Sequence, residues 1–376
     1  MLKNKVSKIL FCDNTLWGLI NFRGDVISYF KNSGAEIVLV APEKEDEQMR
    51  ISIPAGVKYI PIKMGRTTTN PFNDIRYFFS LLRIMLSERP DYVFNYTIKP
   101  NIYGTVSARI VGSHTTAMMA GLGYTFKNDT LSARIARVLY KFGLHFTHHL
   151  LLLNTENMAT VKAKKLCNED KIILLDGGEG VNLSRFVFKD NKSDVVTFLF
   201  IGRVLWDKGY DEFSKAARIV KAKCPEVRFQ VLGSLDPSYP KSVPVQRVKS
   251  DERDGIIEYV GFTNDMKSVY ARKGLVITLP SYYGEGMNRS LMEACASGKP
   301  IITTDIAGCR ELVVDGVNGF IVKPKDEKAL ACAMLEYLGL PDGMKEQFSL
   351  NSRKLAEKRF DVKNVVSVYA DIVGGK

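Results

Sequence analysis

Short apolar runs rich in β-branched residues recur along this chain, each followed by a stretch with helical spacing. That alternation restricts the fold more than any other feature. Residues 8–12, 35–42, 57–62 and 92–95 read as strands, with a helix that follows 17–25 and ends at about 31, and another over 71–87, between them. Runs at 150–154 and 171–175 continue the pattern, and it resumes at 197–201, 229–233, 258–262, 275–279 and 301–304. Strands alternating with helices predict a parallel sheet covered on both faces, an α/β architecture. Right-handed crossovers collect the strand carboxyl ends on one edge, where ligands bind. The alternation breaks at the Gly-rich segment 176–182, which predicts a boundary between domains 1–176 and 183–358.

A chain of 376 residues, 45% apolar and 25% charged, has core material for about two globular domains. The longest uncharged candidate for a membrane span, 110–126, is interrupted by Gly, Thr and His. The apolar run 9–12 stops at Asp13, too short for a signal peptide. Six scattered Cys without a C-x-x-C pair predict reduced thiols and a cytoplasmic chain.

The net charge of +12 is unevenly placed, since residues 51–150 hold 12 Lys/Arg against 4 Asp/Glu. A local basic surplus calls for an acidic partner, either lipid headgroups, a diphosphate or nucleic acid. No zinc-finger or ribonucleoprotein signature supports nucleic acid. Within the surplus, 131–149 reads as one amphipathic helix. Arg134, Arg137, Lys141, His145 and His148 form a basic stripe, and Ile135, Leu139 and Phe142 lie on another face. Such a helix rests on an anionic membrane or is a solvated outer face, and both readings stand. His145, His148 and His149 have no neighbouring acid or Cys in sequence, and no D-x-D string occurs, so no metal is expected.

Chemistry concentrates in 280–300. A buried strand ends at Leu279, Gly284 and Gly286 bracket Glu285, and helix formers run from Met287 until Gly298-Lys299-Pro300 stops them. A helix opening at the carboxyl end of a parallel strand presents free N–H groups and a favourable dipole to an anion. Glu285 falls in the loop and Glu293 about two turns into the helix, a spacing that suits an extended ligand with a diphosphate in its middle. Two solvated acids on an ordinary crossover would have the same spacing. Arg203 follows the strand 197–201 and Lys208 precedes the next helix, so both cations can converge on a diphosphate or simply lie on the surface. Strand one is followed by Gly18 without a G-x-G-x-x-G, which disfavours a nicotinamide cofactor. Gly18 admits an acceptor or phosphate near the backbone, or makes a tight turn. Lys99, beside Pro100 at a predicted helix start, lies at a strand's carboxyl edge.

The string Glu285-Gly286-(six residues)-Glu293-Ala294, followed by Ala296-Ser297-Gly298-Lys299-Pro300, resembles the E-x7-E element of retaining GT-B glycosyltransferases. The resemblance implies two Rossmann-like domains facing across a cleft, with a C-terminal helix, 359–376, crossing back to the first. It implies that Glu285 contacts donor-sugar hydroxyls and Glu293 the ribose. Gly202, Arg203, Lys208 and Gly209 resemble the family's donor-phosphate segment. The helix tip at Gly286, Met287, Asn288 and Arg289 completes that cradle, with Gly233 and Phe262 on the nucleobase side. Thr97–Gly104 and Ala120–Tyr124 resemble bacterial enzymes that extend sugars on polyprenyl diphosphate. That resemblance places Gly18, Lys99 and Tyr124 on the acceptor side. A His that relatives carry near this loop is missing, and Gly123-Tyr124 stand there.

The implied activity is a retaining hexosyltransferase in capsule, lipopolysaccharide or glycan assembly. It would use a UDP-sugar, an N-acetylhexosamine by the Thr97–Asn101 resemblance, and a polyprenyl-diphosphate-linked saccharide as acceptor. It would need no metal or cofactor and would work peripherally at the cytoplasmic face of the inner membrane. Two alternatives remain at this point: a sugar-nucleotide epimerase of related architecture, and a non-catalytic nucleotide-sugar-binding partner.

Overall fold

The computed structural model describes residues 7–42, 52–65, 71–121, 130–237, 239, 241–284 and 286–375. The chain divides into two compact units, Met1–Glu179 with Lys363–Lys376, and Gly180–Val362. These limits compare with the 176/183 and 358/359 read from the sequence. They fall where two segments of the second unit pair: Val181 N–H donates to the Phe360 carbonyl, and Val362 N–H donates to that of Val181.

The first unit is an all-parallel sheet in the order β3-β2-β1-β4-β5-β6-β7. Its strands are β1 (Lys8–Cys12), β2 (Glu36–Pro42), β3 (Lys58–Ile62), β4 (Tyr92–Tyr96), β5 (His114–Met119), β6 (His149–Leu152) and β7 (Ile172–Leu174). Side chains of a strand alternate between faces, and the sequence makes both faces of β1 apolar. Leu10 and Cys12 pack with Val38, Val93, Tyr77 and Leu81 on one side. On the other, Phe11 stacks on Phe94 at 5.3 Å, and Phe94 meets Tyr369 of the last helix, Val362–Gly374, at 4.8 Å.

The second unit repeats the plan in six parallel strands ordered β10-β9-β8-β11-β12-β13. They are β8 (Thr197–Ile201), β9 (Arg228–Leu232), β10 (Glu258–Tyr259), β11 (Leu275–Leu279), β12 (Ile301–Thr304) and β13 (Gly319–Val322). In each sheet the strand order reverses once, between β1 and β4 and between β8 and β11. Crevices outside the carboxyl ends of strands at such reversals are where open α/β sheets bind ligands. Among the described residues all 11 strand pairings are parallel, so both units are Rossmann-like.

Two local expectations change, and the orientation of one helix, left open by its spacing, is now given. Gly18 lies in the first turn of the helix Leu16–Asn32, not in a turn. Thr15 caps that helix by accepting from Gly18 N–H at 2.7 Å, and a Cβ on Gly18 would stand 2.7 Å from the Thr15 hydroxyl. The basic helix ends at His145 rather than 149. Thr147 and His148 instead lie between the helix and β6, tied to β5 by their side chains, with Ala117 N–H donating to Thr147 Oγ1 at 3.2 Å and Thr115 N–H to His148 Nδ1 at 3.0 Å. Finally, Ile135, Leu139 and Phe142 are exposed, and the buried face of the helix is Ala133, Tyr140 and Leu144.

Candidate active site

In the second unit, the residues singled out from sequence sit on the carboxyl edge of the sheet, largely around the β8–β11 reversal. β8 ends in Gly202-Arg203. Gly202 has φ 144°, and a Cβ on Gly233, after β9, would stand 1.7 Å from the Gly202 carbonyl oxygen. Glycine at 233 therefore lets two strand ends approach closely, and glycine at 202 accommodates the positive φ. Gly233 N–H donates to Gly261 O at 2.8 Å, and the adjacent Phe262 is 60% exposed. The Arg203 guanidinium lies over the Tyr239 ring, 4.3 Å from its centroid.

Lys208 closes the 3₁₀ turn Trp206–Lys208. Gly209 follows in the left-handed region at φ 84°, and a Cβ there would strike the Pro280 carbonyl at 2.1 Å. The Asp207 carbonyl accepts from Tyr282 N–H at 3.0 Å, Tyr283 N–H at 3.1 Å and Ser281 Oγ at 3.2 Å. The turn carrying Lys208 is thus fixed to the loop after β11. Lys208 is buried, and burial pulls its ammonium down to about 8, with the Arg203 charge acting in the same direction. Its Nζ lies 5.8 Å from the Tyr283 ring centroid.

The helix after β11 runs Arg289–Ala296. It starts two residues later than the helix formers suggested, because Asn288 is its cap, with Leu291 N–H donating to Asn288 Oδ1 at 3.1 Å. Asn288 N–H in turn donates to Gly308 O at 2.8 Å, and Gly308 N–H to Glu311 Oε2 at 2.7 Å. Gly286 and Met287 are buried beneath this tip. Glu293 is therefore about one turn into the helix, not two. Burial raises its carboxyl above the usual range, against the lowering effect of Arg289. Arg289 Nε donates to Glu293 Oε1 at 2.9 Å, and its Nη1 donates to the Gly180 carbonyl. Arg289 thus holds Glu293 and the segment entering the unit. Glu285 lies outside the described residues.

Sequence reasoning missed the partners of these groups. Tyr239, Tyr282 and Tyr283 each face a cation, with Lys325 Nζ 4.6 Å from the Tyr282 ring. No motif flags them, because each pair joins different strand ends.

In the first unit, Lys99 Nζ donates to Asp74 Oδ1 and to the Gly65 carbonyl, both at 2.7 Å. Thr97, just before it, is a β-branched residue at φ 69°. Such a conformation costs on the order of 1–3 kcal/mol and gathers at functional sites. A π-helical turn, Pro100–Gly104, follows. Asp13, which the sequence reading passed over, is a buried carboxylate at the end of β1 that accepts from Asn14 N–H at 2.6 Å. Tyr124 lies outside the described residues. No group of three or more His, Cys, Asp or Glu among the described residues is arranged to hold a metal ion. No helix among them is long and apolar enough to cross a membrane.

Two family models match the chain. One, described as glycosyl transferase 4-like, covers residues 8–154, and the other, glycosyl transferases group 1, covers 195–339. The N,N'-diacetylbacillosaminyl-diphospho-undecaprenol alpha-1,3-N-acetylgalactosaminyltransferase of Campylobacter jejuni is 27% identical over 86% of this chain and 87% of its own. The UDP-Gal:alpha-D-GlcNAc-diphosphoundecaprenol alpha-1,3-galactosyltransferase of Escherichia coli is 22% identical over 81% of each. Among solved structures, Anabaena HepE in complex with UDP-glucose superposes with a TM-score of 0.76 at 17% identity, over 98% of this chain and 100% of that one.

Proposed function

From the premise that this chain is a GT-B glycosyltransferase, related to bacterial sugar transferases of polysaccharide and lipopolysaccharide biosynthesis, we propose that it is a retaining enzyme of surface-glycan assembly. It moves a sugar, an N-acetylhexosamine in our reading, from a UDP-sugar to a saccharide on polyprenyl diphosphate. The observation that carries the donor half is that Arg203 and Lys208 follow β8 and the capped helix tip follows β11, the two strands that flank one strand-order reversal. These supply two cations and a helix N-terminus for a diphosphate. As the donor bond breaks, negative charge grows on the leaving diphosphate, and cations already in place stabilise it without reorganisation. Lys208 gains most, because an arriving diphosphate favours its charged form. Glu293, held by Arg289, receives the ribose hydroxyls, and Glu285 orients the donor sugar. No metal is needed where the side chains provide the positive charge.

The acceptor half is supported by the two relatives named for diphospho-undecaprenol-linked acceptors and by the surface of the first unit. The helix Leu131–His145 exposes Leu131, Ile135, Val138 and Phe142, spaced by about one turn along one face, beside exposed Arg134 and Lys141. The helix Pro71–Glu88 exposes Phe72, Ile75, Phe79 and Leu86, with Phe72 80% accessible. Apolar residues flanked by cations suit an anionic membrane surface, the cations drawn to headgroups and the apolar stripe to the acyl boundary. The chain then works peripherally at the cytoplasmic face of the inner membrane.

The test is turnover of a panel of UDP-, GDP- and ADP-sugars with synthetic polyprenyl-diphosphate saccharides, with Glu285→Ala as control. Product from one UDP-sugar, lost in the variant, is expected. Hydrolysis or epimerised donor without acceptor product would overturn the reading.

A further inference from the structure

The first unit contains a cavity of about 250 Å³ at the carboxyl edge of its sheet, next to the β1–β4 reversal. Asn14, Met64, Thr97, Met118, Met119 and Tyr140 line it. We infer that this cavity is a subsite for the acetamido group of an N-acylated amino sugar in the acceptor. This rests on the acceptor reading above and specifies which ring substituent the enzyme selects.

Three features give the cavity its chemistry. Its size is below the roughly 300–1,000 Å³ of sites that enclose a whole drug-sized ligand, so it takes one ring or a substituent rather than an oligosaccharide. Met64, Met118 and Met119 give part of its wall a polarisable surface that moulds to a small methyl-bearing group. Its charge is already balanced. Among the described residues that line it, Lys99 carries the one formal charge, and Lys99 is bound to Asp74 Oδ1 and Gly65 O at 2.7 Å each. A diphosphate would meet no uncommitted cation there, whereas a neutral group meets no penalty.

The polar complement is Thr97. Its hydroxyl oxygen is buried and has no hydrogen-bond partner among the described residues. A buried hydroxyl left unpaired is unfavourable, and a ligand amide, with both a donor and an acceptor, satisfies it. The floor behind is fixed: Asn101 Nδ2 donates to the Met118 carbonyl and to Tyr140 Oη, each at 2.7 Å. Thr97 at φ 69° and the π-helical turn after it are backbone departures at the same spot. An acetamido group fills the methionine wall with its methyl and pairs Thr97 with its amide. A hydroxyl in the same position does only the second.

The test compares two acceptors that differ at one carbon, polyprenyl-diphosphate N-acetylglucosamine and polyprenyl-diphosphate glucose. The full chain is expected to favour the acetamido acceptor by at least about tenfold in kcat/KM. Thr97→Val and Met64→Gln should bring the ratio close to one, without changing UDP affinity. Equal use of both acceptors by the unaltered protein overturns the subsite and leaves the transferase reading intact. If neither is used, the polyprenyl acceptor reading falls, and the cavity is judged by saturation-transfer NMR. With UDP saturating, the acetyl methyl of methyl N-acetylglucosaminide should receive magnetisation from the unaltered protein and lose it in folded Thr97→Val. Absent transfer, or transfer equal in the variant, overturns the inference.

Discussion

Lys208 is a buried ammonium whose charge is only partly secured before the donor arrives, so pH reports its role. Its proton is half lost near pH 8 in the donor-free protein. Since kcat/KM follows ionisation in the free enzyme, the donor kcat/KM should fall above about pH 8. At saturating donor, kcat should hold to higher pH, because the bound diphosphate restores the charged form. Lys208→Arg should abolish this alkaline limb, and Lys208→Ala should cost on the order of 10²–10³ in kcat. A pH profile identical in all three proteins would remove Lys208 from the phosphate site. Glu293 is a second residue-scale test. Glu293→Gln preserves its shape but removes the charge that receives the ribose, and UDP affinity measured by calorimetry should weaken by roughly 10- to 100-fold. Gly233→Ala places a methyl on the Gly202 carbonyl, so it should disturb UDP binding by pushing the two strand ends apart.

Among the elements, the helix Leu131–His145 is the one whose sequence pattern and structural role diverge most. Val138→Asp, at a position 69% exposed, should leave folding unchanged and reduce sedimentation with vesicles containing phosphatidylglycerol. Undiminished sedimentation would exclude this face from the membrane contact. The basic spacing of the helix was legible, and its outward apolar face was not. Periodicity shows that two faces differ but not which one meets the sheet. The C-terminal overrun has a related cause. The three-and-four spacing continues through His148, but bonds from β5 to the Thr147 and His148 side chains hold them in the link before β6. By contrast, the strands were legible because both faces of a buried parallel strand must be apolar, leaving continuous runs such as Ile9–Cys12. The loop and helix that carry the 286–300 string were legible because their residues are contiguous. The pinning of Asp207 to Ser281 and Tyr283, and the stacking of Arg203 on Tyr239, join distant segments, so no local spacing reveals them.

At the scale of the whole molecule, the second unit is one continuous segment, Gly180–Val362, whereas the first is assembled from both ends of the chain. Tyr369 lies buried against Phe94, its hydroxyl 3.0 Å from that of Tyr96, and Tyr92 Oη donates to the Val373 carbonyl at 2.8 Å. Tyr369→Ala should cost about 3–5 kcal/mol and lower Tm by roughly 10 °C, as scanning calorimetry would show, while UDP affinity stays unchanged. An unshifted Tm would mean the last helix contributes little to the first unit. The discontinuity also sets an order of events on the ribosome. Domains generally fold as they emerge, N-terminal first. Here the first half leaves the exit tunnel with Phe30 able to pack on Phe94 but without Tyr369, and it must wait through the synthesis of the entire second unit before its last helix exists. Nascent chains stalled before residue 363 should therefore bind trigger-type chaperones near Phe94, and release them once residues 363–375 are free to pack.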